Sequence, residues 1–328
     1  MSFNWGTVTG VSPLRVRLDG DTSAVPVTPD SLVDPLTLAI NDRVRVELSN
    51  NRLVVLGKAG GVVSAAQNLI INGNFRTNQR AYVSAASLAL GAYGFDRWKA
   101  AVAATTLTFT ASIHGQPVTI NSGKGIQQII ERANVPQGEY TLAWEGTATA
   151  RVYNVGATPP AYAASPITVT LDGAANVVVE FTASGGAKTV GKVQMVAGAN
   201  PSVFVNPKLV DEIRYCQRYF WRLLPNDIGY VACVQLSQYS NTDAYGILRY
   251  PVQMRILPAL SFPSGSGYYT MYMAGNTYST NDLTSNTTSS KDFAEIRFRN
   301  GSSMGTTGRS GWMRISDVAA YLDFDAEL

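Results

Sequence analysis

The chain has 328 residues, with 29 glycines and 15 prolines, and 15% of its residues are charged against a usual ~25%. Its 26 basic and 23 acidic side chains give a net charge of +3, which excludes a strongly cationic nucleic-acid binder. One histidine and two cysteines exclude a multi-histidine metal site, a four-cysteine zinc site and a disulfide framework, and no metal or cofactor is expected.

The composition is that of a mainly β chain with many turns. No run approaches the ~18 apolar residues of a membrane helix, so no membrane insertion is expected. Met1 to Gly10 has neither the basic start nor the apolar centre of a secretion signal, so synthesis in a cytoplasm is expected.

Residues 1–61 read as a small barrel of the OB or SH3 kind. Trp5 to Thr9 is followed by Leu14-Arg15-Val16-Arg17-Leu18, where apolar and basic residues alternate with the period of a half-buried strand. Arg43-Val44-Arg45-Val46-Glu47-Leu48 repeats the pattern. Ser49-Asn50-Asn51 supplies a turn, and Leu53 to Leu56 returns as a hairpin partner. Gly10, Gly20, Pro26, Pro29 and Pro35 punctuate the remainder. The segment holds six basic and six acidic residues, which suits a docking module better than a nucleic-acid site. Lys58 to Gln67, rich in small residues, reads as a linker.

Residues 62–206 read as a β-sandwich of jelly-roll type. Strands are expected at Leu107 to Thr110, Ile126 to Glu131, Tyr140 to Glu145, Ala150 to Tyr153, Ile167 to Leu171, Val177 to Phe181 and Val193 to Val196. A connecting helix is expected within 207–224, with Asn206 as N-cap, Pro207 in the first turn and Pro225 as stop. Leu209, Ile213, Cys216 and Phe220 would form its apolar stripe. On so short a helix this stripe suggests a seam between three copies of the chain. Residues 225–328 return to strands, at Ile228 to Leu236, Ala294 to Arg299 and Leu322 to Leu328, forming a C-terminal β tip domain.

Few residues offer chemistry. His114 lies in a turn-like His-Gly-Gln-Pro run without a nucleophile motif. Gly123-Lys124-Gly125 lacks the remainder of a phosphate loop. Asp323, Asp325 and Glu327 share one strand face, which fits a glycosidase pair, a calcium site or the polar side of a terminal strand; Asp317 is near in sequence. Cys216 on the apolar stripe reads as a buried thiol. Tyr268, Tyr272, Tyr278 and Trp312 are flat aromatic surfaces of the kind that stack on sugar rings, with Asn276, Asn281 and Asp282 nearby to read hydroxyls. The same tyrosines equally suit cross-strand packing.

Several blocks resemble a known family. Asn68-Leu69-Ile70-Ile71-Asn72-Gly73-Asn74-Phe75-Arg76-Thr77-Asn78-Gln79-Arg80 is similar to a block of bacteriophage tail-fibre and minor tail proteins. The family's Tyr-x-x-Asp-Arg-Trp block is matched by Tyr93 to Trp98. Glu212 to Phe220, ending in Tyr-Phe, is close to its Glu-x-x-x-Cys-Gln-Arg-Tyr-Tyr block. Lys192-Val193-Gln194-Met195-Val196 resembles the family's closing strand with two departures. Trp5 to Gly20 resembles the opening domain of minor tail proteins from phages of actinobacteria. The resemblance implies a virion tail component with a carbohydrate-binding-module-like sandwich, commonly trimeric, but transfers no sugar-binding residue. Within it, Asp96-Arg97-Trp98 reads as an internal ion pair and a core anchor.

The leading expectation is a non-enzymatic host-surface adhesin located in the virion tail. Its N-terminal module would attach to other tail or baseplate proteins, and its tip would bind a bacterial cell-wall glycan. The alternatives are a purely structural tail part and a glycan depolymerase.

Overall fold

The computed structural model describes residues 2–32, 38, 40–49, 52–58, 67–201, 203–224 and 229–328. The expected turn at Asn50 and Asn51, the linker at 59–66, Pro35, Pro225 and Ile228 lie outside the described residues. The chain is mainly β and divides into two compact units, Met1–Gln67 and Asn68–Leu328.

The first unit holds β1 (Ser2–Val11), β2 (Leu14–Leu18), β3 (Asp30–Ser31), β4 (Arg43–Ser49) and β5 (Arg52–Lys58). They pair in the order β2-β1-β4-β5-β3, antiparallel except for β3 on β5. This OB-like connectivity leaves the barrel open between β2 and β3. Val8, Leu14, Val16, Val44, Val46, Leu53 and Val55 fill its core. The period-two alternation in β2 and β4 is what turns those residues inward.

The second unit has two cores. The sandwich strands are β6 (Ser87–Leu88), β7 (Lys99–Ala100), β8 (Thr105–Thr108), β9 (Val118–Ile120), β10 (Gly125–Ile130), β11 (Gly138–Gly146), β12 (Thr149–Asn154), β13 (Ile167–Leu171), β14 (Val177–Thr182) and β15 (Lys188–Ala197). A four-stranded sheet, β12-β14-β10-β7, faces a six-stranded sheet, β13-β11-β15-β9-β8-β6. Trp144 of β11 meets Phe181 of β14 edge-on at 5.1 Å across the layer between them. Burying such rings against one another supplies the main stabilisation of a core of this type.

Then follow α1 (Leu209–Gln217), β16 (Phe220–Leu223), β17 (Val231–Gln238), β18 (Asp243–Arg249), β19 (Ala259–Ser261), β20 (Tyr269–Met273), β21 (Asn276–Thr280), β22 (Asp282–Ser285), β23 (Phe293–Arg299), β24 (Ser310–Ile315) and β25 (Leu322–Asp325). Seven strands pair as β21-β20-β24-β17-β18-β23-β22. Its two edge strands are consecutive in sequence, so the sheet curls until they meet at Asn281. Met271, Met273, Ile296, Phe298, Met313 and Ile315 point into the core so enclosed. A small sheet, β16-β25-β19, packs Phe324 and Leu322 against that core.

The helix differs from the expectation. Lys208, not Asn206, is its N-cap, and no side chain caps it. Asn206 instead accepts a hydrogen bond from the Asn74 amide at 3.0 Å. The helix ends at Gln217, and Phe220 begins a strand. Cys216 and Phe220 are buried within their own chain, so they do not belong to a seam between copies. The physical reason is the blocks around them. The N–H of Asn72 donates to the Glu212 carboxylate, and Gln79 donates from its amide to the Phe220 carbonyl at 2.9 Å. These contacts draw the inner face of α1 onto the sandwich. Leu209 remains 43% exposed and Ile213 half-buried.

Candidate binding face

The six residues singled out for glycan contact separate into three groups. Tyr272 on β20 and Trp312 on β24 stand directly opposite each other on the outer side of the curled sheet. Trp312 is 52% exposed, while its neighbours Gly311 and Met313 are buried. Thr277 of β21 lies opposite Tyr272, and Gln235 of β17 lies opposite Trp312. One register line thus runs hydroxyl, ring, ring, amide across four strands, about 14 Å at the usual strand spacing. The Arg314 guanidinium sits 4.7 Å from the Tyr272 ring centre, which fixes the ring by a cation–π contact.

Tyr268 and Tyr278 are half-buried and pack against the core instead. Tyr268 packs edge-on to Tyr269 at 6.4 Å, and a Cβ at Gly265 would lie 2.4 Å from its ring. Tyr278 packs against the barrel interior and donates its hydroxyl to the Met304 carbonyl at 3.2 Å. These are correct as tyrosines of a β core and do not reach the open face.

Asn276 and Asn281 hold turns. Ala274 and Gly275, at φ 49° and 83°, form the tight hairpin between β20 and β21, and Asn276 donates back to the Ala274 carbonyl at 3.3 Å. Asn281 accepts from the Gly265 N–H at 3.2 Å where the two sheet edges meet. Its neighbours Ser279, Asp282 and Arg299 line a shallow polar cleft there.

Gln235, Thr277 and Arg314 join the face although the sequence did not single them out. The alternation Gly311-Trp312-Met313-Arg314 could have placed Arg314 beside Trp312. Gln235 and Thr277 depend on strand register, which no local pattern reveals. The exposed Tyr239 and the half-buried Tyr245 add an edge-on pair at 5.6 Å near the end of β17.

The other candidates have structural partners. The Asp323 carboxylate accepts two bonds from Arg222, both at 2.7 Å. Asp325 pairs with Arg80 at 3.2 Å, and Glu327 pairs with Arg80 and Arg97. All three carboxylates are therefore arginine acceptors in the folded chain. Arg97 pairs with Glu327 and not with Asp96, which corrects the expected internal pair of that block. Asp96 accepts from the Gln79 N–H at 2.7 Å, and burial pushes its carboxyl up to about 6. Trp98 is fully buried and donates to the Asn72 carbonyl at 2.9 Å. Lys124 donates to the Ala103 carbonyl at 2.7 Å, as a loop lysine. His114 is exposed at the rim of a 290 Å³ hollow in the sandwich, beside the paired Glu145 and Lys192. Cys216 is buried, and burial raises its thiol pKa well above the ordinary value.

The sequence matches no family profile and no curated protein. Among solved structures, it is similar to a cycloisomaltooligosaccharide glucanotransferase from Paenibacillus sp., complexed with cycloisomaltoheptaose, at 11% identity and a TM-score of 0.21. That alignment covers 72% of this chain and 46% of the enzyme, so the chain spans less than half of the enzyme's length.

Proposed function

We propose that the chain is a bacteriophage tail component that grips a bacterial cell-wall glycan without cleaving it. The observation that carries this reading is the open row Thr277, Tyr272, Trp312 and Gln235. Two rings on adjacent strands offer a flat apolar surface, and the flanking hydroxyl and amide can read sugar hydroxyls. Grip is favoured over cleavage because the carboxylates of the C-terminal strand are each engaged by arginine.

A rival reading, a rigid tail part that touches no receptor, also has an observation behind it. Three blocks of the resemblance, around Asn72, Arg97 and Glu212, meet at one junction in the interior, and none of them reaches the open row. Binding of the full chain to an array of bacterial wall glycans separates the two. Release of reducing ends from a bound glycan would point to the depolymerase instead.

Two further parts of this reading concern assembly. The N-terminal barrel attaches the chain to other tail or baseplate proteins. The chain forms a homotrimer, for which Leu209 is the exposed member of the expected apolar stripe on α1. Light scattering at micromolar concentration tests the trimer, and a monomer there removes it from the account.

A further inference from the structure

The N-terminal barrel is neutral in sum but not in space. Arg15 and Arg17 alternate with the buried Leu14 and Val16 on β2, and Arg43 and Arg45 alternate with the buried Val44 and Val46 on β4. Strand β1 lies between them. Its Thr7 is registered with Arg17 on one side and Arg43 on the other, and its Trp5 is registered with Arg45. The arginines of β2 and β4 therefore flank β1, whose Trp5 is 43% exposed. The Arg43 guanidinium is 6.0 Å from the Trp5 ring.

Glu47 follows Arg45 in the same alternation on β4, and the other described acidic residues of this unit lie outside β1, β2 and β4. Asp19 follows β2 and holds Arg43 by two bonds of 2.9 and 2.6 Å. Asp30 and Asp42 pair with Arg52 and Lys58. Among the described residues, Arg15 and Arg17 have no ion-pair partner. A count of charges cannot detect this separation, because it arises only when the strands pair.

We infer that this face docks a carboxylate-rich surface of another protein, an inference that rests on the reading of the barrel as an attachment module. Arginine and tryptophan are the residues that most often dominate binding energy at protein interfaces. The planar guanidinium matches a carboxylate with two parallel bonds, as Arg43 already does with Asp19. The pair is exposed, so a partner carboxylate can replace Asp19 at little cost. A nucleic-acid strand is the competing occupant, because stacking successive bases needs a series of aromatic faces and β1 carries Phe3 as well as Trp5; the carboxylate that Arg43 already holds favours the acidic protein surface.

The test uses the full chain with Arg15→Glu and Arg17→Glu together. Both positions are exposed, and thermal unfolding should match the parent. Binding to poly-L-glutamate and to a single-stranded oligonucleotide of equal charge is measured by fluorescence anisotropy. The parent should bind polyglutamate at least as tightly as the oligonucleotide, and the double variant should bind it at least ten-fold more weakly. Absent polyglutamate binding, an unchanged affinity in the variant, or a ten-fold preference for the oligonucleotide would each overturn the inference. Incorporation into tails adds a second arm, comparing this variant with Val46→Asp, which disrupts the barrel core. Loss of incorporation in both supports the docking face. Loss with Val46→Asp alone overturns the face but leaves the attachment module standing. Incorporation of both variants overturns the two together.

Discussion

Arg97 and Glu327 lie 230 residues apart and form an ion pair with side chains 1% and 4% exposed. The Arg97 guanidinium also donates to the Ile129 carbonyl and lies 3.5 Å from the Tyr219 ring centre. Tyr93 and Lys99 reach the Leu328 carbonyl from the same side. The last residues of the tip are thereby clasped by the sandwich, which joins two hydrophobic cores into one unit.

Removing one partner of that pair should be costly. Glu327→Gln leaves a buried guanidinium without its counter-charge, and a loss of about 3–5 kcal/mol in unfolding free energy is expected. Lys192→Ala removes an exposed partner of Glu145 and should change stability by about 0.5 kcal/mol or less. Urea unfolding of both variants checks the contrast, and equal losses would show that the clasp is not sealed from water.

The same junction makes stability depend on pH through Asp96. Burial raises its carboxyl to about 6, against the lowering effect of the Gln79 hydrogen bonds. An unfolded aspartate titrates near 3.9, so the folded state holds the proton more tightly. The resulting stabilisation is fully present below about pH 4 and is lost as pH rises through about 6. Relative to Asp96→Asn, the parent chain should therefore gain roughly 1–3 kcal/mol between pH 7.5 and pH 4. Unfolding curves of the two proteins across that range measure it, and parallel pH profiles would exclude the assignment.

Neither thiol should react in the native protein. Burial raises the Cys216 pKa well above the ordinary value and pushes Cys233 up to about 12, so the thiolate that attacks disulfides is scarce at both. Titration with Ellman's reagent should detect no fast thiol under native conditions and both after denaturation. A fast-reacting native thiol would mean that α1 or β17 opens readily.

The tyrosines should separate stability from binding. Tyr278→Ala empties part of the tip core and is expected to cost about 2–4 kcal/mol. Tyr272→Ala lies on the outer side and should stay within about 1 kcal/mol of the parent, while weakening glycan capture. Thermal unfolding and a pull-down on purified cell walls give the two readouts. A reversal of their order would mean that the outer and inner sides of β20 have been exchanged.

The alternation of apolar and polar residues made most strands readable. Leu14 to Leu18, Ile167 to Leu171 and Ala294 to Arg299 each fall on a strand with one side turned inward. The helix boundary was not readable, because Phe220 continues the helical spacing while β25 and the Gln79 amide engage it as a strand residue. Tertiary pairing outweighed a local pattern there. The binding row was readable only at Tyr272 and Trp312. Tyrosines 268, 272 and 278 look alike in a list of aromatics, and only the fold packs 268 and 278 against the core and leaves 272 on the outer row. The charge separation on β2 and β4 was half visible in the alternation of arginines, but the strand between them was not.

Glycan binding by the outer row is the claim on which the account turns. The most direct measurement is the binding of full-length parent and Trp312→Ala proteins to an array of bacterial cell-wall glycans. Trp312 is half exposed and meets no core residue across its register line, so the substitution should leave the melting temperature within a few degrees. The account predicts that the parent binds at least one glycan and that Trp312→Ala lowers that affinity by ten-fold or more. A parent that binds no glycan, or a variant that binds as well as the parent, would contradict it.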